Sequence, residues 1–225
     1  ELRDRQQSGG VDALLEQLRS QEQAACVIRD RSNASLRSKR LIVAAELQER
    51  LMAHLRPMGL ANVRFEVAVE PSEPGESGAD AVCFFFSANP GQPMAPLAEV
   101  ASGGEMSRFL LALKTCLAEV DGSSTLLFDE IDTGVSGRVS GAMADLLRLL
   151  SRHRQVFCVT HQPLVAAAAD HHFRVSKDVC DGVTHSRVSQ LRDTQERQRE
   201  LAELAGGERR EAEAYAASLL DQKAA

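Results

Sequence analysis

Thr125-Leu126-Leu127-Phe128-Asp129-Glu130 is a mainly apolar run that ends on two adjacent acids, and Val156-Phe157-Cys158-Val159-Thr160-His161 is a second one that ends on a histidine. Both read as strands, and residues 138–150 between them read as a helix, so strand and helix alternate as in an α/β lobe. In open α/β sheets ligands bind beyond the carboxyl ends of the strands, and both strands deliver their polar residues to that end. Successive strand residues point to opposite sides, so the two carboxylates can do different work: Asp129 can hold a magnesium ion and Glu130 can polarise an attacking water. Taken alone, the acids also suit an ordinary strand exit, and a lone histidine at a strand end is more often a satisfied structural residue than a catalytic one.

Upstream of these strands, residues 102–119 read as a helix opened by Ala101-Ser102-Gly103-Gly104-Glu105-Met106-Ser107-Arg108. Ser102 with Glu105 three residues on has the form of a capping box, which satisfies the free N–H groups of a helix start. The paired glycines leave those N–H groups bare, and with the helix dipole they favour an anion such as a nucleotide phosphate. The pattern by itself leaves both readings open. Earlier still, Val63, Phe65, Val67 and Val69 alternate with polar neighbours and residues 81–86 are apolar, which predicts two strands joined by the turn-rich stretch 71–78. Residues 89–96 form a loop with three prolines.

Residues 11–56 are mostly good helix formers, and Val11, Leu14, Leu15 and Leu18 share one face at i, i+3, i+4 and i+7. A polar and basic stretch at 29–40 interrupts the apolar pattern and divides the region into two candidate helices. Its Arg29, Arg31, Arg37, Lys39 and Arg40 suit either a phosphate backbone or a solvated helix face. Pro57-Met58-Gly59 ends the region. Downstream, residues 163–169 read as a short helix, 173–176 and 183–190 as strands, and the remainder as two helices divided by Gly206-Gly207. His171-His172 lacks companion ligands at metal-site spacing and reads as part of a strand.

The chain has 225 residues, 44% of them hydrophobic, and a formal charge of -6. That is enough for one sizeable domain or for one domain with an appendage, and it excludes a surface that is basic throughout, so any nucleic-acid contact is local. Five cysteines lie far apart without Cys-x-x-Cys spacing and read as reduced, packed thiols. No apolar run approaches the ~20 residues needed to span a bilayer, and residues 1–10 lack a signal-peptide core. A cytoplasmic protein with no membrane partner is expected.

In this order the three segments resemble the ABC ATPase family: a signature motif, then Walker B, then the switch histidine. The fuller wording, Phe86-Ser87-Ala88-Asn89-Pro90-Gly91, Pro96-Leu97-Ala98-Glu99-Val100-Ala101-Ser102-Gly103-Gly104-Glu105, Phe128-Asp129-Glu130-Ile131-Asp132-Thr133-Gly134-Val135-Ser136-Gly137 and Val159-Thr160-His161, resembles the RecN family of SMC-like bacterial DNA repair proteins, over residues 36–220. The resemblance implies an α/β fold, the C-terminal lobe of an ABC-type P-loop ATPase head at 57–225, preceded by a helical, partly coiled-coil segment at 1–56 that is the end of an arm. It implies ATP hydrolysis with Mg2+ between two dimerised heads, in recombinational repair of DNA double-strand breaks. By the same resemblance Asp129 is the Walker B metal ligand, Glu130 the catalytic base, His161 the γ-phosphate contact and Asp132 a D-loop residue that reaches a partner. Ser102, Gly103, Gly104 and Glu105 would cap the nucleotide held by the opposite head. Met106 stands where leucine is usual, a near-isosteric change.

A phosphate loop needs Gly-x-x-x-x-Gly-Lys-Ser/Thr, and no glycine precedes Lys39, Lys114, Lys177 or Lys223. The expected partners are therefore an N-terminal half of the head bearing Walker A, a second copy of the head, and DNA, with the chain alone inactive and the assembly associated with the nucleoid. Two other readings compete: the head lobe of another SMC-like branch, and a non-catalytic interaction module of the same fold. Two acids at a strand end have no use in a module that offers only its surface.

Overall fold

The computed structural model describes residues 2–87, 91–99, 103–118, 120, 122, 125–129, 131–135, 137–180, 183–207 and 210–224. Ser102 and Glu130 lie outside the described residues, as do the loop residues 88–90.

A single helix, α1 (Leu2–Leu55), runs through residues 29–40 without the expected break. Neither glycine nor proline occurs from 11 to 56, so nothing stops propagation. The basic residues of that stretch are largely tied up in place. Arg37 Nη1 pairs with Asp80 Oδ1 at 2.6 Å, and Arg40 Nη1 pairs with Asp80 Oδ2 at 3.2 Å. Arg37 also donates to the Val69 carbonyl (3.3 Å) and Arg40 to that of Ser77 (2.6 Å). Arg29 pairs with its neighbour Asp30. At the other end Gly59, with φ 78°, takes the left-handed conformation, and the Leu60 N–H bonds back to the Leu55 carbonyl at 3.1 Å, which closes the helix.

Two strands follow, β1 (Arg64–Gly75) and β2 (Gly78–Ser87), and with β3 (Ala95–Pro96) they form a sheet in the order β1-β2-β3. The rest of the chain runs α2 (Gly104–Cys116), β4 (Thr125–Phe128), α3 (Gly137–Ser151), β5 (Gln155–Cys158), α4 (Pro163–Ala168), β6 (His172–Cys180), β7 (Val183–Leu191), α5 (Thr194–Leu204) and α6 (Arg210–Ala224). Strands β4 and β5 pair in parallel across the α3 crossover, and β6 and β7 form an antiparallel ribbon. The result is the mixed α/β lobe, following a long helix in the chain, that the alternation of periods predicts.

The chain divides into two compact units. The first is Glu1–Gln48 with Glu66–Phe85, in which Val43, Ala44 and Leu47 of α1 and Val67, Val82 and Phe84 of the strands line one apolar groove. The second is Glu49–Phe65 with Phe86–Ala225, so the last turns of α1 belong with the α/β elements. Its core is built around Phe109 of α2, fully buried and packed on Phe65 (ring centroids 5.3 Å) and Phe86 (4.8 Å). Truncating such a side chain to alanine costs about 3–5 kcal/mol, so α2 is held firmly where it enters the site. A second cluster, Ala166, Ala167, Leu201, Ala202, Ala212, Ala216 and Leu219, packs α4, α5 and α6 through small residues. Asp193 caps α5 by accepting from Glu196 N (2.7 Å), and Glu196 accepts from Arg192 N (2.9 Å).

Candidate functional site

The parallel register sets Phe128 beside Cys158, and Val159 N donates to the Phe128 carbonyl at 2.9 Å. Asp129 and the Thr160-His161 pair therefore leave the sheet next to each other, at its carboxyl end. Asp129 is exposed there. Asp132 turns inward. It is 1% exposed, and its Oδ2 accepts from Thr160 Oγ1 and from the backbone N–H of His161 at 3.0 Å. Its Oδ1 faces His161 Nδ1 at 3.5 Å, and Gln162 Nε2 donates to His161 Nε2 at 3.3 Å. Those two contacts together suit the tautomer with its proton on Nδ1. Thr160 Oγ1 accepts from Gln162 N (3.0 Å), and Ser140 Oγ donates to Gln162 Oε1 (3.4 Å). The segment after β5 is thus fastened on two sides, while the His161 side chain stays 65% exposed.

The same strand end concentrates negative charge. Burial pushes the Cys158 thiol up to about 12, and Asp132 and Asp129 add to that shift. A site with this field favours a cation. Among the described residues no group of three His, Cys, Asp or Glu side chains is placed to hold a metal by itself. Magnesium does not need one, because it keeps several waters and commonly takes one or two protein carboxylates plus substrate phosphates. The exposed Asp129 fits that donor set.

The first turn of α2 completes the constellation. Its N-cap, Gly103, makes no side-chain cap, and Glu105 is exposed. Gly104 sits against the turn that follows Asp132: a Cβ on Gly104 would lie 3.2 Å from the Thr133 carbonyl oxygen and 3.2 Å from Arg108 Nη1. A side chain there would have to push the Thr133 carbonyl or the Arg108 tip back by a few tenths of an ångström. The structure thus brings Gly103, Gly104, Glu105, Asp129, Asp132 and His161 to neighbouring segments of one unit. The inward use of Asp132 and the burial of Arg108 were not apparent from motif order alone; the signal for the first was Thr160, a hydroxyl placed between an apolar strand and the histidine.

No protein-family model matches the chain. The DNA repair protein RecN of Synechocystis sp. is 48% identical over 198 residues, covering 81% of this chain and 34% of that protein. The RecN of Halalkalibacterium halodurans is 42% identical over 180 residues, covering 78% and 32%. That of Rickettsia conorii is 41% identical over 174 residues, covering 77% and 32%. The chain belongs to the RecN family. It spans about a third of the length of the curated RecN proteins it matches. Among solved structures, an Smc head domain with a coiled coil and joint derived from Pyrococcus yayanosii is 23% identical, covers 68% of this chain and 28% of that one, and has a TM-score of 0.49. A likeness of that degree adds no weight to the RecN relationship. Among the described residues no helix is long and apolar enough to cross a membrane.

Proposed function

We propose that this chain is the C-terminal lobe of an SMC-like ATPase head of the RecN type, which in the complete protein hydrolyses ATP between two heads during recombinational repair of DNA double-strand breaks. The observation that carries this reading is the adjacency of Asp129 and His161 at the carboxyl end of β4 and β5, with the bare N-terminus of α2 braced against the intervening turn. In this reading Asp129 holds Mg2+, Glu130 takes a proton from the attacking water, and His161, oriented from behind by Asp132, meets the γ-phosphate. The bound ion supplies neutralisation of phosphate charge, and the residues of this chain supply position and polarity. Ser102, Gly103, Gly104 and Glu105 present helix-start N–H groups to the nucleotide of the second head.

The outer face of the β4–β5 pair supports a missing layer. Leu127 is 70% exposed, Phe157 46% and Val159 57%, whereas parallel strands are ordinarily covered on both faces. An N-terminal lobe with the phosphate loop is the cover this reading requires. The exposed stripe of Val11, Leu14, Leu15 and Leu18 on α1 similarly suits the returning helix of an antiparallel arm. Because Arg29, Arg37 and Arg40 pair internally, Arg31 and Lys39 remain as the exposed cations of that stretch for a local DNA contact.

The test is Glu130→Gln in the complete protein, with phosphate release and ATP-dependent dimerisation followed together. Turnover is expected to vanish while the ATP-bound dimer persists; wild-type turnover would remove Glu130 from the mechanism.

A further inference from the structure

Arg108 stands one turn into α2, four residues after Gly104, so its side chain leans back toward the start of the helix. Its Nη1 lies 3.2 Å from where a Cβ on Gly104 would be, which places the guanidinium beside the first helical residue. The residue is only 8% exposed, and among the described residues neither Nε nor Nη1 has a hydrogen-bond partner. A buried cation two of whose nitrogens find no acceptor is costly, and the nearby Glu105 offsets only part of that cost. This one also sits at the positive end of a 13-residue helix, where the dipole makes the cost greater. Burial pushes the guanidinium pKa down, and the charge of exposed Glu105 draws it partly back. Gly103, which precedes the helix, is exposed, and a Cβ there would meet none of the described residues beyond its chain neighbours within 4 Å.

We propose that Arg108 supplies, from beside the N–H groups that open α2, part of the positive charge that binds a phosphate-type anion at that helix end. The anion is the terminal phosphate of a nucleotide held by a second head, so the inference rests on the function proposed above and adds a residue to it. Arg108 does not touch the phosphate. It acts across Gly104 in a poorly hydrated place, where its field is weakly screened. The incompletely compensated charge is tolerated in the free lobe and fully compensated when the anion arrives.

Two substitutions in the complete RecN-type protein separate this role from simple packing. Arg108→Met keeps length and removes the charge, and Arg108→Lys keeps the charge. For each variant the thermal midpoint and the ATP concentration for half-maximal dimerisation are measured. Arg108→Met is expected to leave the midpoint unchanged or raise it, while the half-maximal ATP concentration rises about tenfold or more; Arg108→Lys recovers most of the loss. A methionine variant that dimerises at the wild-type ATP concentration overturns this inference alone. So does one that is destabilised without rescue by lysine. A wild-type protein that never dimerises with ATP overturns the nucleotide reading and this inference with it.

Discussion

Replacing Asp132 by alanine removes one carboxylate oxygen that accepts from both Thr160 Oγ1 and His161 N, at a position only 1% exposed. Hydrogen bonds to an ionised group contribute about 1.5–3 kcal/mol each, so losing the pair costs about 3–6 kcal/mol, less whatever water recovers at the half-open strand end. For a chain of this size that is a fall in melting temperature of about 6–24 °C. Asparagine has nearly the same shape and keeps an acceptor for both donors, so Asp132→Asn should cost only about 1.5–3 kcal/mol. Its amide nitrogen, however, would face His161 Nδ1 and oppose the proton carried there. The stable variant is therefore expected to lose turnover in the complete protein while retaining nucleotide binding. Thermal unfolding by circular dichroism gives the first quantity, and paired binding and turnover measurements give the second. If both variants melt within 1 °C of wild type, Asp132 does not hold the segment after β5 and the argument fails.

Three further outcomes are expected. Asp80→Ala should destabilise by about 2–3 kcal/mol in urea unfolding, between an exposed pair and a fully buried one, because Asp80 is 3% exposed but Arg37 and Arg40 are 36% and 23% exposed; an effect below 0.5 kcal/mol would show that the clamp is ornamental. With its pKa raised to about 12, chiefly by burial, Cys158 stays a thiol at pH 8 and should resist alkylation in the folded chain, while exposed Cys83 is modified, and equal rates would contradict the burial of Cys158 at the strand end. Burial, with Arg197 as a lesser cause, lowers the His172 pKa, so between that lowered value and the unfolded value of about 6.5 the unfolded chain binds more protons and stability rises with pH. Acidifying from pH 7.5 to 5.5 should therefore lower the melting temperature less in His172→Gln than in wild type, and parallel losses would count against the assignment.

The elements that place the site were readable because their signals are local. Two apolar runs with polar ends gave β4 and β5, and the apolar repeat Phe109, Leu110, Leu113 and Leu117 gave α2. The polar stretch at 29–40 misled for a physical reason: Arg37 and Arg40 are satisfied by Asp80, forty or more positions away, and no local pattern announces a long-range ion pair. The direction of Asp132 was hidden in the same way, since its partners Thr160 and His161 belong to another strand end. Arg108 drew no reading of its own from the sequence; burial with Nε and Nη1 left without acceptors among the described residues singles it out. The family resemblance supplied roles for Ser102 and Glu130 that neither periodicity nor geometry at the described residues could assign.

The measurement that bears most directly on the whole account is steady-state ATP hydrolysis by this chain alone, by the chain mixed with the matching N-terminal half of the head, and by the same mixture carrying Glu130→Gln. The account predicts no turnover alone, turnover on mixing, and its loss in the variant. Turnover by the chain alone would contradict it, because a phosphate loop would then have to exist within these 225 residues.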